Sequence, residues 1–220
     1  MKNRKRSFCI IGLGRFGQTL AVNLAKTDHQ VLVIDIDEDI INTMSDTVTN
    51  AVVGDPTNEA VLHAAGVKEY DCAVVATAES INDSILTTIL LKELGVKKVV
   101  ARAGSEQHGK VLEKVGADMV VFPERDMGEK LVHILDRNNV LEYIEFSESH
   151  SIVEVSVPSK WVGKSLVQLD VRRRYGVTVL AVSDSESGNM NISPDPTKPF
   201  SGTETVALLG ENKAIDKITK

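Results

Sequence analysis

The chain has 220 residues, a formal net charge of -6, 42% hydrophobic residues and 25% charged residues. That length suits one complete core plus a smaller appendage and is cramped for two full-sized domains. The excess of acid argues against a nucleic-acid backbone as partner, because such binding draws on a large positive footprint. Only Lys2 to Arg6 is locally basic, and a terminal charge run of this kind reads as solvated. No stretch approaches the ~18 consecutive apolar residues of a membrane span, and no cleavage-site pattern follows the basic start, so a cytoplasmic location is expected. Cys9 and Cys72 fall inside apolar runs and are too few for a disulfide framework or a zinc site.

From Ser7 to about Leu135, short β-branched runs alternate with amphipathic helical stretches, the pattern of parallel strands with crossover helices on both faces. The strands read are Phe8 to Ile11, Val31 to Asp35, Thr49 to Val53, Cys72 to Ala76, Lys98 to Arg102 and Met119 to Phe122. Runs as continuously apolar as Val31 to Ile34 belong where both sheet faces are covered. Gly66, Gly95 and Gly116 each follow an apolar helical segment and read as left-handed stops. Asp55-Pro56 reads as a helix entry with Asp55 as N-cap.

Between Ile81 and Leu94 the apolar residues form two stripes, Ile81-Ile85-Ile89 and Leu86-Leu90-Leu94, about 140° apart at ~100° per residue. One stripe is expected to face the sheet and the other a second subunit, the alternative being burial under the chain's own C-terminal segment. Glu124 to Leu141 reads as a further helix. After Ser147, strand-like alternation at Ile152 to Val157, Val177 to Val182 and Thr205 to Leu209, with a polar hairpin at Ser183 to Asn191, gives a small α+β module. The expected domains are 1–138 and 139–220, and the expected class is α/β: a Rossmann-type doubly wound parallel sheet followed by a small α+β lobe.

The strongest motif is Gly12-Leu-Gly14-Arg15-Phe16-Gly17, which follows the first strand and opens the first helix. In that setting Gly12 permits the tight turn, Gly14 lets a phosphate approach the backbone, and Gly17 lets the helix pack on the strand. Asp35 ends the second strand 18 residues after Gly17, where this fold places a carboxylate on ribose hydroxyls, with Ile36 following it. An acid there would repel a 2'-phosphate, which disfavours NADP. Asp37, Glu38 and Asp39 read as first-turn helix acids. Arg15 reads as a phosphate contact or a surface arginine. Asp55, Ala76, Thr77 and Arg102 lie at the carboxyl ends of strands three, four and five, the ligand-binding edge of such sheets. Asp55 reads equally well as an N-cap, and Arg102 as a salt-bridge partner.

A nicotinamide-dependent oxidoreductase, the alternative reading, needs a substrate domain and a proton donor beside the hydride. The histidines are scattered, and His29, His63, His108 and His133 read as surface positions. No nucleophile elbow or metal motif appears, so catalysis is not expected. A redox-sensing repressor is disfavoured by the acidic charge and by the lack of a helix-turn-helix pattern before Ser7.

The glycine loop GLGRFG, Asp35, the span Ser84 to Gly95, Gly116-Ala-Asp and Phe122-Pro-Glu-Arg-Asp-Met127 together resemble the regulator-of-potassium-conductance (RCK, also KTN) family, in its KtrA type. Trp161 to Leu166, Leu169 to Arg172 and Tyr175 to Ala181 resemble the C-terminal lobe of the same family, so the likeness covers essentially the whole chain. The resemblance implies a cytosolic regulatory subunit, an octameric ring of dimers at the inner face of the membrane on a KtrB-type potassium channel. It implies ATP, ADP or NAD(H) as ligands and no nucleic acid. On matching positions, Gly12, Gly14, Arg15 and Gly17 would hold phosphates, Asp35 the ribose, and Asp55, Thr77 and Asn82 would line the adenine side, with Phe16, Ile36 and Ala76 also among the cofactor-binding positions. Arg102 would sit near the phosphates. Glu124 would help bind a divalent cation or Na+ between ATP molecules of neighbouring subunits, although by itself it reads as a first-turn helix acid. The resemblance further implies cyclic di-AMP at the C-terminal lobe, with Leu166, Val177 and Pro194 as apolar walls and Asp170, Arg172 and Thr178 nearby. The run Arg172-Arg173-Arg174 suits a diphosphate or a solvated helix face. The turn Gly202-Thr-Glu-Thr departs from the family's Gly-Asp before the last strand.

Overall fold

The computed structural model describes residues 5–77, 80–137, 139–184 and 187–219. By packing, the chain divides into two compact units, Met1–Glu124 and Arg125–Lys220.

The first unit alternates strand and helix: β1 (Ser7–Ile11), α1 (Arg15–Lys26), β2 (Gln30–Asp35), α2 (Glu38–Met44), β3 (Asn50–Val53), α3 (Glu59–Ala64), β4 (Cys72–Val75), α4 (Ile81–Glu93), β5 (Val99–Arg102), α5 (Glu106–Lys114) and β6 (Met119–Val121). All six strands are parallel, in the order β3-β2-β1-β4-β5-β6. This is the doubly wound Rossmann order, whose direction reverses between β1 and β4 and so opens a crevice beyond their carboxyl ends. Side chains alternate across the sheet. Cys9, Ile11, Leu32, Ile34, Val75 and Val99 pack on one face with Leu62, Leu91 and Leu112 from α3, α4 and α5. Ile10, Val31, Val33 and Val74 pack on the other with Ala21, Ile41 and Met44 from α1 and α2. Burial on both faces is why these strands read as unbroken apolar runs. Gly66, Gly95 and Gly116 have φ of 68°, 83° and 104°, as expected of left-handed stops.

Two local readings are corrected. The N-cap of α3 is Asn58, whose side chain accepts the Ala60 N–H at 3.0 Å. Asp55 instead closes its own turn, accepting from the Thr57 N–H at 2.8 Å and the Thr57 hydroxyl at 2.6 Å. On α4, neither apolar stripe as a whole faces the sheet. The buried positions are Ser84, Thr87, Thr88, Leu90 and Leu91, while Ile81 and Leu86 are 50% and 43% exposed. The hydroxyls tolerate burial because they bond to nearby carbonyls: Thr88 Oγ1 to Ser84 O at 2.7 Å and Ser84 Oγ to Ile81 O at 3.0 Å.

The second unit begins within α6 (Pro123–Leu135). It continues through β7 (Val140–Ser147), β8 (His150–Ser156), α7 (Leu166–Leu169), α8 (Val171–Tyr175), β9 (Thr178–Asp184), β10 (Met190–Asn191), β11 (Glu204–Glu211) and α9 (Asn212–Thr219). Its antiparallel sheet has the order β10-β9-β11-β8-β7, and the polar hairpin pairs Val182 and Ser183 with Asn191 and Met190, its residues 185 and 186 lying outside the described residues. The core is built around Trp161, Val153, Val155, Val206, Leu208 and Ile215.

The helix expected over Glu124 to Leu141 stops at Leu135, and Val140 to Ser147 is a strand. A bulge between Val140 and Glu142 puts the buried residues Val140 and Tyr143 three apart, which mimics helical spacing. The packing boundary falls after Glu124, whereas the sequence placed it after 138. The difference is α6, whose Ile134 joins the second core and whose Lys130 pairs with Glu142. The unusual turn before β11 is held by Glu204, whose carboxylate accepts the N–H groups of Ser201 and Gly202 at 3.0 and 2.9 Å.

Candidate functional site

A parallel sheet delivers every strand's carboxyl end to one edge, and the candidate residues of the first unit lie there or in the segments that follow. Gly12 follows β1, Asp35 ends β2, Asp55 follows β3, Ala76 and Thr77 follow β4, Arg102 ends β5, and Glu124 stands in the first turn of α6 after β6. Asn82 is exposed in the first turn of α4.

Each glycine of the loop has a distinct reason. Gly12 has φ +90°, and a Cβ there would meet Thr77 Cγ2 at 2.6 Å. At Gly17 a Cβ would lie 2.0 Å from the Gly12 carbonyl oxygen and 3.3 Å from the Ala76 Cβ. At Gly14 it would meet nothing within 4 Å. Gly12 and Gly17 are therefore demanded by the protein's own packing, whereas Gly14 faces open space. Gly14 is also the N-cap of α1, with no side-chain cap and no acid in the first turn. Backbone N–H groups and the positive end of the helix are thus presented where an anion can approach.

The loop is tied to its neighbours by named bonds. Asp35 Oδ2 accepts the Leu13 N–H at 2.5 Å and Oδ1 accepts the Asp37 N–H at 3.0 Å, so the carboxylate sits directly beside the glycine turn. Gln18 Nε2 donates to Leu13 O at 2.7 Å. Asp37 is the N-cap of α2, accepting from the N–H groups of Asp39 and Ile40. Arg15 and Ile36 are exposed, Ile36 at 69%.

Arg102 is held at this edge by several contacts. Its Nη1 donates to Ala76 O at 3.4 Å, its Nη2 to Glu124 Oε1 at 2.5 Å, and its Cζ lies 6.0 Å from the Phe16 ring centroid. Its Nε is buried and has no partner among the described residues. The two sequence readings of Arg102 and Glu124, as salt-bridge partner and first-turn acid, meet in one ion pair. The residues present fit a phosphate: an uncapped helix end, an open glycine face and a guanidinium with one donor unused. Hydrogen bonds from Thr57 hold the Asp55 carboxyl below the usual carboxylate range, which keeps it an acceptor.

Sequence reasoning missed one buried polar pair beneath the edge. His108, read as a surface residue, is 2% exposed, and its Nε2 lies 2.7 Å from Ser84 Oγ. The Gly104 N–H points to Nδ1 at 3.4 Å, which assigns the proton to Nε2. Burial pulls the imidazole below its ordinary value, so it is neutral. Ser105 caps α5 on the His108 N–H, so the sequence marks where the helix starts but not which of its faces is buried. His133 is also not free surface, since it stacks on Tyr143 at 4.1 Å.

A cavity of about 300 Å³ on the α1 face of the sheet is lined by Phe8, Leu20, Leu24, Val74 and Val100. Its lining is mostly apolar, with Arg6 and Lys98 as the charged members. In the second unit, Leu166 and Pro194 line a cavity of about 200 Å³ together with Asp184, Asp195 and Lys198. Val177 is not in that wall. It is 1% exposed, belongs to the core and faces Gly210. Asp170, Arg172 and Thr178 are exposed outside the cavity's lining. Among the described residues no group of three or more metal-ligating side chains converges, and no helix is long and apolar enough to cross a membrane.

Residues 8–123 match the TrkA-N domain family and residues 151–220 the TrkA-C domain family. Ktr system potassium uptake protein C of Bacillus subtilis (strain 168) is 39% identical over 216 residues, covering 98% of this chain and 97% of that protein. Ktr system potassium uptake protein A of the same strain is 37% identical over 214 residues, covering 97% and 96%. The solved GsuK channel bound to NAD superposes with a TM-score of 0.67 at 21% identity, covering 100% of this chain and 40% of that longer one. At that identity the likeness speaks to fold alone. The two domain matches and the two near-full-length relatives lead to one conclusion: the chain belongs to the family of Ktr system potassium uptake proteins, built from a TrkA-N domain followed by a TrkA-C domain.

Proposed function

We propose that the chain is the nucleotide-sensing regulatory subunit of a Ktr-type potassium uptake system and catalyses no reaction. ATP, ADP or NAD(H) occupies the crevice between β1 and β4. The diphosphate lies on Gly14 and the first turn of α1, the ribose on Asp35, and the adenine toward Asp55, Thr77 and Asn82. The observation that carries this reading is the convergence of an uncapped helix end, an open glycine and a ribose-positioned carboxylate at one strand edge, in a chain of this family. A redox enzyme would need a proton donor at that edge. The buried His108, neutral and bonded to Ser84, is not placed as one.

The partner is a membrane-embedded channel subunit of KtrB type, and the chain acts from the cytoplasm as dimers assembled into an octameric ring. The exposed Leu86, on the side of α4 away from its buried face, and Ile81 on the flank support a subunit interface there, since exposed apolar side chains lack cover. A ligand moves such an assembly only through different affinities for its states, so ATP and ADP must differ in the subunit arrangement they favour. Glu124 is the residue of this chain suited to a divalent cation or Na+ beside the terminal phosphate, with the remaining ligands coming from the nucleotide and a neighbouring copy. Cyclic di-AMP is the proposed second ligand, at the C-terminal lobe near Leu166, Pro194 and the exposed Arg172.

The test is mass spectrometry of the nucleotide that co-purifies, with the native mass taken in the same run, followed by titration with ADP, ATP and NADH. A monomer that binds none of the three overturns the reading.

A further inference from the structure

The Arg102 guanidinium is anchored on one side and underused on the other. Nη1 is held by the Ala76 carbonyl, and the group's plane lies near the Phe16 ring in the first turn of α1. Its other edge, formed by Nε and Nη2, is the edge that takes an oxyanion in two parallel bonds. Glu124 uses only Nη2 and leaves Nε buried without a partner among the described residues. The pairing is therefore incomplete, and a buried unpaired donor is costly. Glu124 is itself 65% exposed, so its carboxylate gives up little by turning to water, and it remains favourably placed at the start of α6.

We propose that Glu124 and a ligand phosphate are alternative partners of the same Arg102 edge, so that phosphate binding releases the first turn of α6. A phosphate oxygen pair satisfies both Nε and Nη2, whereas the glutamate satisfies one. The consequence is directional, because Glu124 is the last residue of the first compact unit and α6 carries the chain into the second. The state of the phosphate site is thereby passed to the connecting helix through a single side-chain exchange. This rests on the nucleotide reading above, which places a phosphate on the glycine loop beside Phe16.

The experiment is calorimetric titration of the full chain with ADP in EDTA, with adenosine as the phosphate-free probe. The variants are Glu124→Gln, Arg102→Gln and the double substitution. Removing the competing carboxylate is expected to tighten ADP about two- to fivefold, the range that a half-exposed ion pair supports, and to leave adenosine unchanged. Arg102→Gln is expected to weaken ADP by about tenfold or more, and Glu124→Gln added to it should bring no further gain. Amide hydrogen exchange over residues 123–130 should quicken with ADP in the wild type and be quick without ADP in Glu124→Gln. ADP affinity unchanged or weakened by Glu124→Gln overturns the exchange, and so does a gain that persists without Arg102. Exchange over residues 123–130 that ignores ADP overturns the coupling to α6. If the wild type binds neither ADP nor adenosine, the nucleotide reading itself fails, and that outcome is distinct from both.

Discussion

The glycines of the loop separate folding from binding, and alanine at two of them tests the separation. A Cβ at Gly17 would stand 2.0 Å from the Gly12 carbonyl oxygen, so helix and strand would have to part by about 1.4 Å to reach ordinary contact at 3.4 Å. Over-packing of that severity, against backbone rather than a flexible side chain, costs about 3 kcal/mol, a large share of the 5–15 kcal/mol that holds a domain together. Gly14 has φ -63° and ψ -178°, which any residue adopts, and nothing within 4 Å of the added methyl. Alanine there loses a few tenths to about 1 kcal/mol of capping preference and recovers about 0.4–1 kcal/mol through a less disordered unfolded chain, a net change near zero. Its methyl instead occupies the face a diphosphate must approach, and affinity should fall by about tenfold or more, or at least 1.4 kcal/mol. Urea unfolding followed by far-ultraviolet circular dichroism, paired with ADP titration of each variant, measures both. A Gly17→Ala protein with the wild-type midpoint would refute the packing argument, and a Gly14→Ala protein with wild-type ADP affinity would refute the site.

Three further outcomes are expected. Asp35→Asn can keep the Leu13 contact through its amide oxygen but loses the Asp37 N–H contact, since its NH2 cannot accept; it should weaken ADP and NADH by about tenfold, as a lost charge-assisted ribose bond does, and unchanged titrations would dismiss the ribose assignment. Because burial lowers the His108 pKa in the folded state, the unfolded chain binds the proton more tightly, and stability should decline as pH falls below about 6.5. The pH dependence of the urea midpoint between 7.5 and 5.5 should be flatter in His108→Gln, and equal slopes would exclude the role. Leu86→Glu, placed on the exposed side of α4, should lower the native mass while leaving the monomer's circular dichroism intact; an unaltered mass would move the interface elsewhere.

The parallel sheet was legible in the sequence because both of its faces are buried. Val31 to Ile34 and Cys72 to Val75 could be nothing else once glycines punctuated the helices between them, and the six strands lie within a residue or two of their expected ends. The glycine loop was equally legible, since the conformational demand at Gly12 and the close approach at Gly17 exclude most other residues locally. The short second unit was read less well. The bulge at Val140 gave a strand the spacing of a helix, and short α7, α8 and α9 carried too few turns for periodicity to declare them.

Chain order and local chemistry thus determined which segments become strands, where the phosphate turn lies and which carboxylate stands near it, because those properties depend on neighbours in sequence. What depends on residues distant in the chain was decided only by the tertiary structure. It buried Ser84 and Thr88 rather than the isoleucine stripe of α4, turned His108 inward against a helix 24 positions away, drew Val177 into the core, and joined Arg102 to Glu124 across 22 residues. Each of these outcomes follows from satisfying a polar group or filling a volume in three dimensions; the hydroxyls of Ser84 and Thr88 find acceptors within their own helix, but the faces they bury against and the partners of His108, Val177 and Arg102 lie far away in the sequence.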